Sequence, residues 1–302
     1  MDQSLIMKHR TFAFSDKIFD WLAPKAKGEE RDIATIKRWI ESDRPCMISR
    51  FGSTELQTIA YMKFFPLSIA LRHRTYYNIQ NASGFFPVSY NNLRRYYKLY
   101  KEDVRDLDLL VSWRIEEFLF NNWLRDKDRI RKGSLDSFYK QKDPWTSILA
   151  GKKILVVHPF AETIQEQYDH HRSELFSNPG VLPLFERLET VKAVQSIAGN
   201  PVEYDSWFDA LDWMKSEILT KDFDIALLGC GAYAFHLAAY VKRLGKKAIH
   251  LGGILQFLFG IKGVRYEENL ETAAYINSFF VYPRASDKPE NADCVEGGCY
   301  WG

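Results

Sequence analysis

The chain has 302 residues, 46% hydrophobic and 15% aromatic, which is enough apolar side chain for a large core and argues against a disordered chain. Lys and Arg number 41 against 39 Asp and Glu, a formal net charge of +2, so a chain basic throughout is excluded. The four cysteines, Cys46, Cys230, Cys294 and Cys299, contain no CxxC pair, so neither a disulfide framework nor a zinc ribbon is expected and a reducing, cytoplasmic setting fits.

In chain order, the N-terminal MDQSLIMKHRTFAF lacks a continuous apolar run. The longest apolar stretch, around IALLGCGAYAF at 225–235, is far too short for a membrane span, so neither export nor insertion is expected. The first predicted strand, CMISRFG (46–52), leads through Ser53, Thr54 and Glu55 into a helical run. Gly52 permits a tight turn, Ser53 or Thr54 can cap the helix, and the free N–H groups there suit a phosphate. Arg50 would add a bidentate guanidinium to that phosphate. A capping box closed by Glu55 explains the same residues without any ligand.

The small net charge hides an asymmetry. Residues 56–101 contain no acid, while Lys63, Arg72, Arg74, Arg94, Arg95, Lys98 and Lys101 give them +7, and residues 61–100 are about twice as aromatic as the chain average. It is read as a helical insertion over about 61–105, with Arg94, Arg95 and Lys98 as candidate acceptor-binding residues. Interleaved cations and rings suit a nucleotide-sugar, a glycan or single-stranded nucleic acid. The plain alternative is a solvated basic face over an aromatic core.

Further strands are predicted at 108–113, 152–160, 188–196, 223–231 and 246–253, separated by helix-length segments. The expected fold is α/β: one Rossmann-like domain over 1–302, with a doubly wound, mostly parallel sheet and helices on both faces. Ligands of such sheets bind beyond the carboxyl ends of the strands, so residues there are the candidates. His158 and Glu162 follow the 152–160 strand, where a general acid or base would stand; a hydrogen-bonded structural histidine is the alternative. A helix over 205–220 presents Trp207, Leu211, Met214 and Ile218 as one stripe. Gly229, Gly231 and Tyr233 form the next strand-to-helix turn, which departs from the GxGxxG fingerprint at Ala234. The helix behind it, 232–244, ends in Lys242, Arg243 and Gly245. After the last strand come His250, Gly252, Gly253 and Gln256, then Lys262 and Arg265. The residues from Tyr266 to Gly302 carry seven acids against two bases. Within them, about 282–302 is read as an extended acidic tail pinned back by Tyr300 and Trp301.

SRFGSTEL resembles the RFGDGEL motif of bacterial glycosyltransferases of the GT-D type, and FDIALLGCGAYAFHLAAYVKRLGKKAIHLGG is similar to the closing strand–helix–strand unit of that family. HLGGILQFLFGIKGVRY and VEGGCYW resemble a subgroup associated with surface-polysaccharide loci. The resemblance, over residues 44–302, implies an enzyme moving a sugar from a nucleotide-sugar donor to a glycan or lipid-linked acceptor. For such a reaction the strand-end residues Arg50, Gly52, Ser53, Gly229, Gly231, Tyr233, His250, Gly252, Gly253, Gln256, Lys262 and Arg265 are read as donor-binding, and Glu55, His158, Glu162 and His250 as candidates for the base. The resemblance also implies a Mn²⁺ or Mg²⁺ ion held by an Asp-x-Glu pair; here Ser53 replaces the Asp and Glu55 alone matches, leaving Arg50, Lys262 or Arg265 to neutralise the diphosphate.

The expected setting is the cytoplasm, extending to peripheral association with the inner face of the membrane, and nucleic acid is not an expected partner. Two other readings compete. One is a non-catalytic nucleotide- or glycan-binding module built on the basic stretch. The other is a nicotinamide-dependent oxidoreductase, disfavoured because AIHLGGI at 248–254 offers no ribose-binding acid about 20 residues after Gly231.

Overall fold

In the computed structural model, residues 28–302 are described; the N-terminal stretch considered for export lies outside them. Seven strands form one sheet: β1 (Cys46–Ser49), β2 (Leu109–Ser112), β3 (Asp128–Arg131), β4 (Lys153–His158), β5 (Arg187–Lys192), β6 (Ile225–Leu228) and β7 (Lys247–His250). Their order is β3-β2-β1-β7-β6-β4-β5 and every pairing is parallel, with Ile48 of β1 level with Ile249 of β7 and Leu109 of β2. The expected Rossmann-like α/β architecture is what the chain adopts. Observed strands are shorter than expected because residues 50–52, 229–231 and 251–253 already turn into the loops beyond the sheet. β3 is additional. It lies at the sheet edge with Ile130 as its one buried residue, so Asp-Arg-Ile-Arg lacks the apolar run that marks a central strand.

Seven helices among the described residues have ten or more residues: α1 (Glu29–Glu41), α2 (Ser53–Phe64), α3 (Ile69–Asn81), α4 (Tyr90–Asp103), α5 (Ala161–Leu175), α6 (Trp207–Leu219) and α7 (Ala234–Arg243). Side chains alternate across a strand, so neighbouring residues enter opposite cores. Met47, Leu110, Leu155, Ala226 and Ala248 face one core, with α2, α3, α4, α6 and α7. Cys46, Ile48, Leu109, Ile154, Ile225 and Ile249 face the other, covered by α1, α5, the segment 254–261 and the tail's Trp301.

The aromatic content of the basic stretch divides by face. Phe85, Tyr96 and Tyr100 are buried, and Tyr96 meets Trp207 of α6 edge to face at 5.2 Å, so much of this content is core packing. Asp103, at the end of α4, is clamped to α7 by His236 Nδ1 at 2.7 Å and Arg243 Nη2 at 2.6 Å. The tail differs from expectation. It is coiled into short 3-10 turns over Ala285–Asp287, Ala292–Cys294 and Glu296–Gly298, because Trp301 is buried and its indole N–H donates to the Asp287 carbonyl at 2.9 Å.

The alternation gives a direct stability expectation. Ile249→Ala removes a fully buried side chain from a central strand and should cost about 2–5 kcal/mol, whereas Ile69→Ala, on an exposed position, should stay within about 0.5 kcal/mol. Urea midpoints of the two variants check this; equal shifts would mean that the central strands do not carry the core.

Candidate functional site

The chain leaves β1 into α2 on one face of the sheet and leaves β7 into the short helix Ile254–Leu258 on the other. Neighbouring strands whose connections part to opposite faces open a crevice at their carboxyl ends, where open parallel sheets bind ligands. Ser49 and His250 close its floor, with the serine hydroxyl 3.1 Å from the His250 ring nitrogen.

Arg50 lies over this floor, nearly buried, with its guanidinium 3.2–3.3 Å from both carboxylate oxygens of Asp136. Lys132 reaches the same carboxylate at 2.6 Å. Burial works to raise the Asp136 pKa, but the two cations outweigh it and hold the carboxyl below its ordinary range. Gly252 makes room for the arginine: a methyl there would stand 2.1 Å from Arg50 Nη2, and its backbone takes φ +62°. Gly229 makes room in turn for the Gly252 carbonyl, which would be 2.8 Å from a methyl at 229.

Glu55 folds back over Gly52, where an added methyl would meet its Oε2 at 1.9 Å. Burial is the main influence on this carboxyl and pushes its pKa up, against the pull of its backbone N–H, Ser83 and Arg50. Arg265 lies on the other side of the crevice against Gly253. Its guanidinium is 4.5 Å from the Tyr300 ring centre and 3.9 Å from the Glu296 carboxylate. Arg50, Gly52, Ser53, Glu55, His250, Gly252, Gly253 and Arg265 are therefore brought to one edge.

Other candidates are engaged elsewhere. His158 is buried under Gly229, and its Nδ1 accepts the Phe160 N–H at 3.0 Å, so it ties the turn from β4 into α5. Glu162 pairs with Lys192 at 3.1 Å on the surface. Tyr233 is buried, stacked on Trp207 at 4.8 Å, with its hydroxyl 3.2 Å from that of Ser196; Gly231, before it, takes φ +56°. The Gln256 amide donates to the Tyr300 carbonyl at 3.3 Å and so holds the tail. Lys262 is paired with Glu267 at 3.1 Å. Arg94, Arg95 and Lys98 stand exposed on α4, and Arg95 covers the Phe208 ring at 3.7 Å.

Sequence reasoning missed Asp136, Lys132, Ser83 and Glu296, and marked Tyr300 only as a pin for the tail. The first two directly follow β3, so recognising that edge strand would have marked them as strand-end residues.

The donor set does not match a Mn²⁺ or Mg²⁺ cage. Glu55 is the one carboxylate in the α2 turn, Asp136 is spent on two cations, and among the described residues no group of three His, Cys, Asp or Glu is placed to hold a metal.

Comparisons with known proteins add one likeness. No family model matches the chain, and no curated protein matches it. One solved structure, the selenomethionine-substituted domain of unknown function 1792, is similar at 14% identity and a TM-score of 0.40, covering 75% of this chain and 83% of its own.

Burial holds both strand-end histidines neutral, lowering the pKa of His158 to about 3, and of His250 to about 3 with help from Arg50. In the unfolded chain they take up protons near 6.5, so acidification from 6.5 towards 3 favours unfolding, by roughly 1 kcal/mol per pH unit for each. Thermal melts should therefore begin to fall near pH 6.5, above the carboxylate range, and the H158N/H250N double variant should show a flatter limb there. An unchanged limb would mean that these histidines do not set it.

Proposed function

We propose that the chain is a glycosyltransferase that moves a sugar from a nucleotide-sugar donor to a glycan or lipid-linked acceptor, in the synthesis of surface polysaccharide or another glycoconjugate. The observation that carries this reading is the locked Arg50 guanidinium lying against the Gly252 backbone, at the crevice between β1 and β7, with Glu55 and Arg265 at its rim. A nucleoside diphosphate needs its charge neutralised by fixed donors, and two guanidiniums on a strand-end crevice supply this without a metal cage.

In this reading the bond from the sugar's anomeric carbon to the diphosphate breaks, and Arg50 and Arg265 take up the charge that develops on the leaving group. The acceptor hydroxyl bonds to the anomeric carbon and gives its proton to Glu55. A carboxylate whose pKa is raised by burial is a better base near neutral pH than an exposed one. The Glu296 carboxylate stands 3.9 Å from Arg265, farther than Asp136 stands from Arg50. The exposed cations of α4, Arg94, Arg95 and Lys98, form a separate surface suited to an anionic acceptor.

Calorimetric titration with UDP-, GDP- and dTDP-sugars, with and without Mn²⁺, tests the reading. At least one donor should bind and remain bound in EDTA, and Gly252→Ala, which displaces Arg50, should weaken it about tenfold or more. Glu55→Gln should keep donor affinity within about threefold and lower transfer by about 10²-fold or more. Absence of binding across the panel overturns the proposal, and undiminished transfer by Glu55→Gln removes Glu55 from its role.

A further inference from the structure

The turn between α2 and α3 leaves large apolar side chains in water. Phe64, Phe65, Leu67, Ile69 and Leu71 fall within eight residues, and all are exposed, Leu67 by 87% and Ile69 by 66%. The fold builds this turn firmly. The Phe65 N–H closes α2 on the Tyr61 carbonyl at 2.8 Å, the Ser68 N–H donates to the Phe65 carbonyl at 2.9 Å, and the Ser68 hydroxyl caps α3. Beside it stands exposed Leu119, whose carbonyl accepts from Lys63 Nζ at 2.9 Å. Five large apolar side chains this exposed within eight residues mark an interaction surface rather than a core.

Charge indicates what the surface meets. Arg72, His73 and Arg74 lie in the first turns of α3, all exposed, and neither arginine has a carboxylate partner among the described residues. With no acid in residues 56–101, nothing in the surrounding sequence neutralises them. A projecting Phe-Leu-Ile tip with a cationic shoulder matches the two layers of an anionic membrane surface, apolar chains beneath phosphate headgroups. We infer that residues Phe64–Leu71 insert into the headgroup–acyl boundary of an anionic phospholipid bilayer while Arg72 and Arg74 bind its phosphates.

α2 links this tip to the crevice, since Ser53 begins the helix at the site and Phe64 ends it at the tip, roughly 17 Å away along its axis. Docking would therefore hold the crevice close to the membrane. The membrane inference itself does not depend on the transferase reading, because vesicle binding is measured without any donor.

Flotation of the full chain with two kinds of vesicle tests it: pure phosphatidylcholine, and phosphatidylcholine with about a third phosphatidylglycerol. The protein should float with the anionic vesicles and hardly with the neutral ones, and the bound fraction should fall as salt is raised. The L67E/I69E variant should lose binding about tenfold or more, and R72A/R74A should lose most of the preference for anionic vesicles. All four side chains are exposed, so circular dichroism and melting should match the parent chain. Failure of the parent chain to float at low salt overturns the inference, as does undiminished flotation of L67E/I69E. Sedimentation of the same proteins identifies the competing occupant: a dimer abolished by L67E/I69E, without vesicle binding, would assign the tip to a second copy of the chain.

Discussion

The contact between Arg50 and Asp136 sets the shape of the crevice. A largely buried ion pair returns little net stability, since desolvating both charges offsets much of their attraction, yet removing one partner costs roughly 3–5 kcal/mol. Arg50 therefore stays where Asp136 and Lys132 hold it, and the rest of the edge is built around that position. Gly252 must lack a side chain to pass under the guanidinium, and Gly229 must lack one to admit the Gly252 carbonyl. One charge at the end of β1 thus dictates glycines at the ends of β7 and β6.

The same edge separates groups that titrate alike in water. Glu55, Asp136 and Glu162 are all carboxyls near strand ends, but the first is raised by burial, while against burial Lys132 and Arg50 hold the second low and a backbone N–H with Lys192 holds the third low. Glu55 alone combines burial, a raised pKa and a place beside Arg50, which is why it rather than Glu162 carries the proton in the proposed reaction. His158 and His250 stand equally close to strand ends, but burial keeps them neutral, and Nδ1 of each is engaged, with the Phe160 N–H and the Ser49 hydroxyl.

Much of this was legible from the residues. Six of the seven strands announce themselves as short aliphatic runs, and SRFGSTE and HLGG show their turns through glycine and polar residues after such runs. β3 did not, because an edge strand needs only Ile130 inside and its charged neighbours look like loop; Lys132 and Asp136 were lost with it. Spacing along the chain also cannot tell which strand-end polar groups converge. Lys262 and Gln256 sit as close in sequence to the HLGG turn as Arg265 does, but Glu267 takes the one and the tail carbonyl the other. The basic, aromatic stretch largely follows its plainer alternative, a solvated basic face over an aromatic core: rings such as Phe85 and Tyr96 pack against α6, and the cations of α3 and α4 stand outside.

The tail follows from the same accounting of space. Gly253 and Gly263 leave the chain after β7 bare where Tyr300 and its carbonyl pass, since a methyl at either would stand 2.7 Å from the tyrosine residue. Trp301 then enters the core beneath, and Arg265 is caught between the Tyr300 ring and Glu296. The tail is held here by the buried Trp301, by the Tyr300 ring against Arg265 and by Asp287, which pairs with Lys192 at 2.9 Å. The charge asymmetry of the sequence is thereby resolved into two separate surfaces. In the tail Glu296 meets Arg265 at the crevice and Asp287 meets Lys192, while six of the seven cations of residues 56–101 stand exposed on α3 and α4 with no carboxylate partner among the described residues.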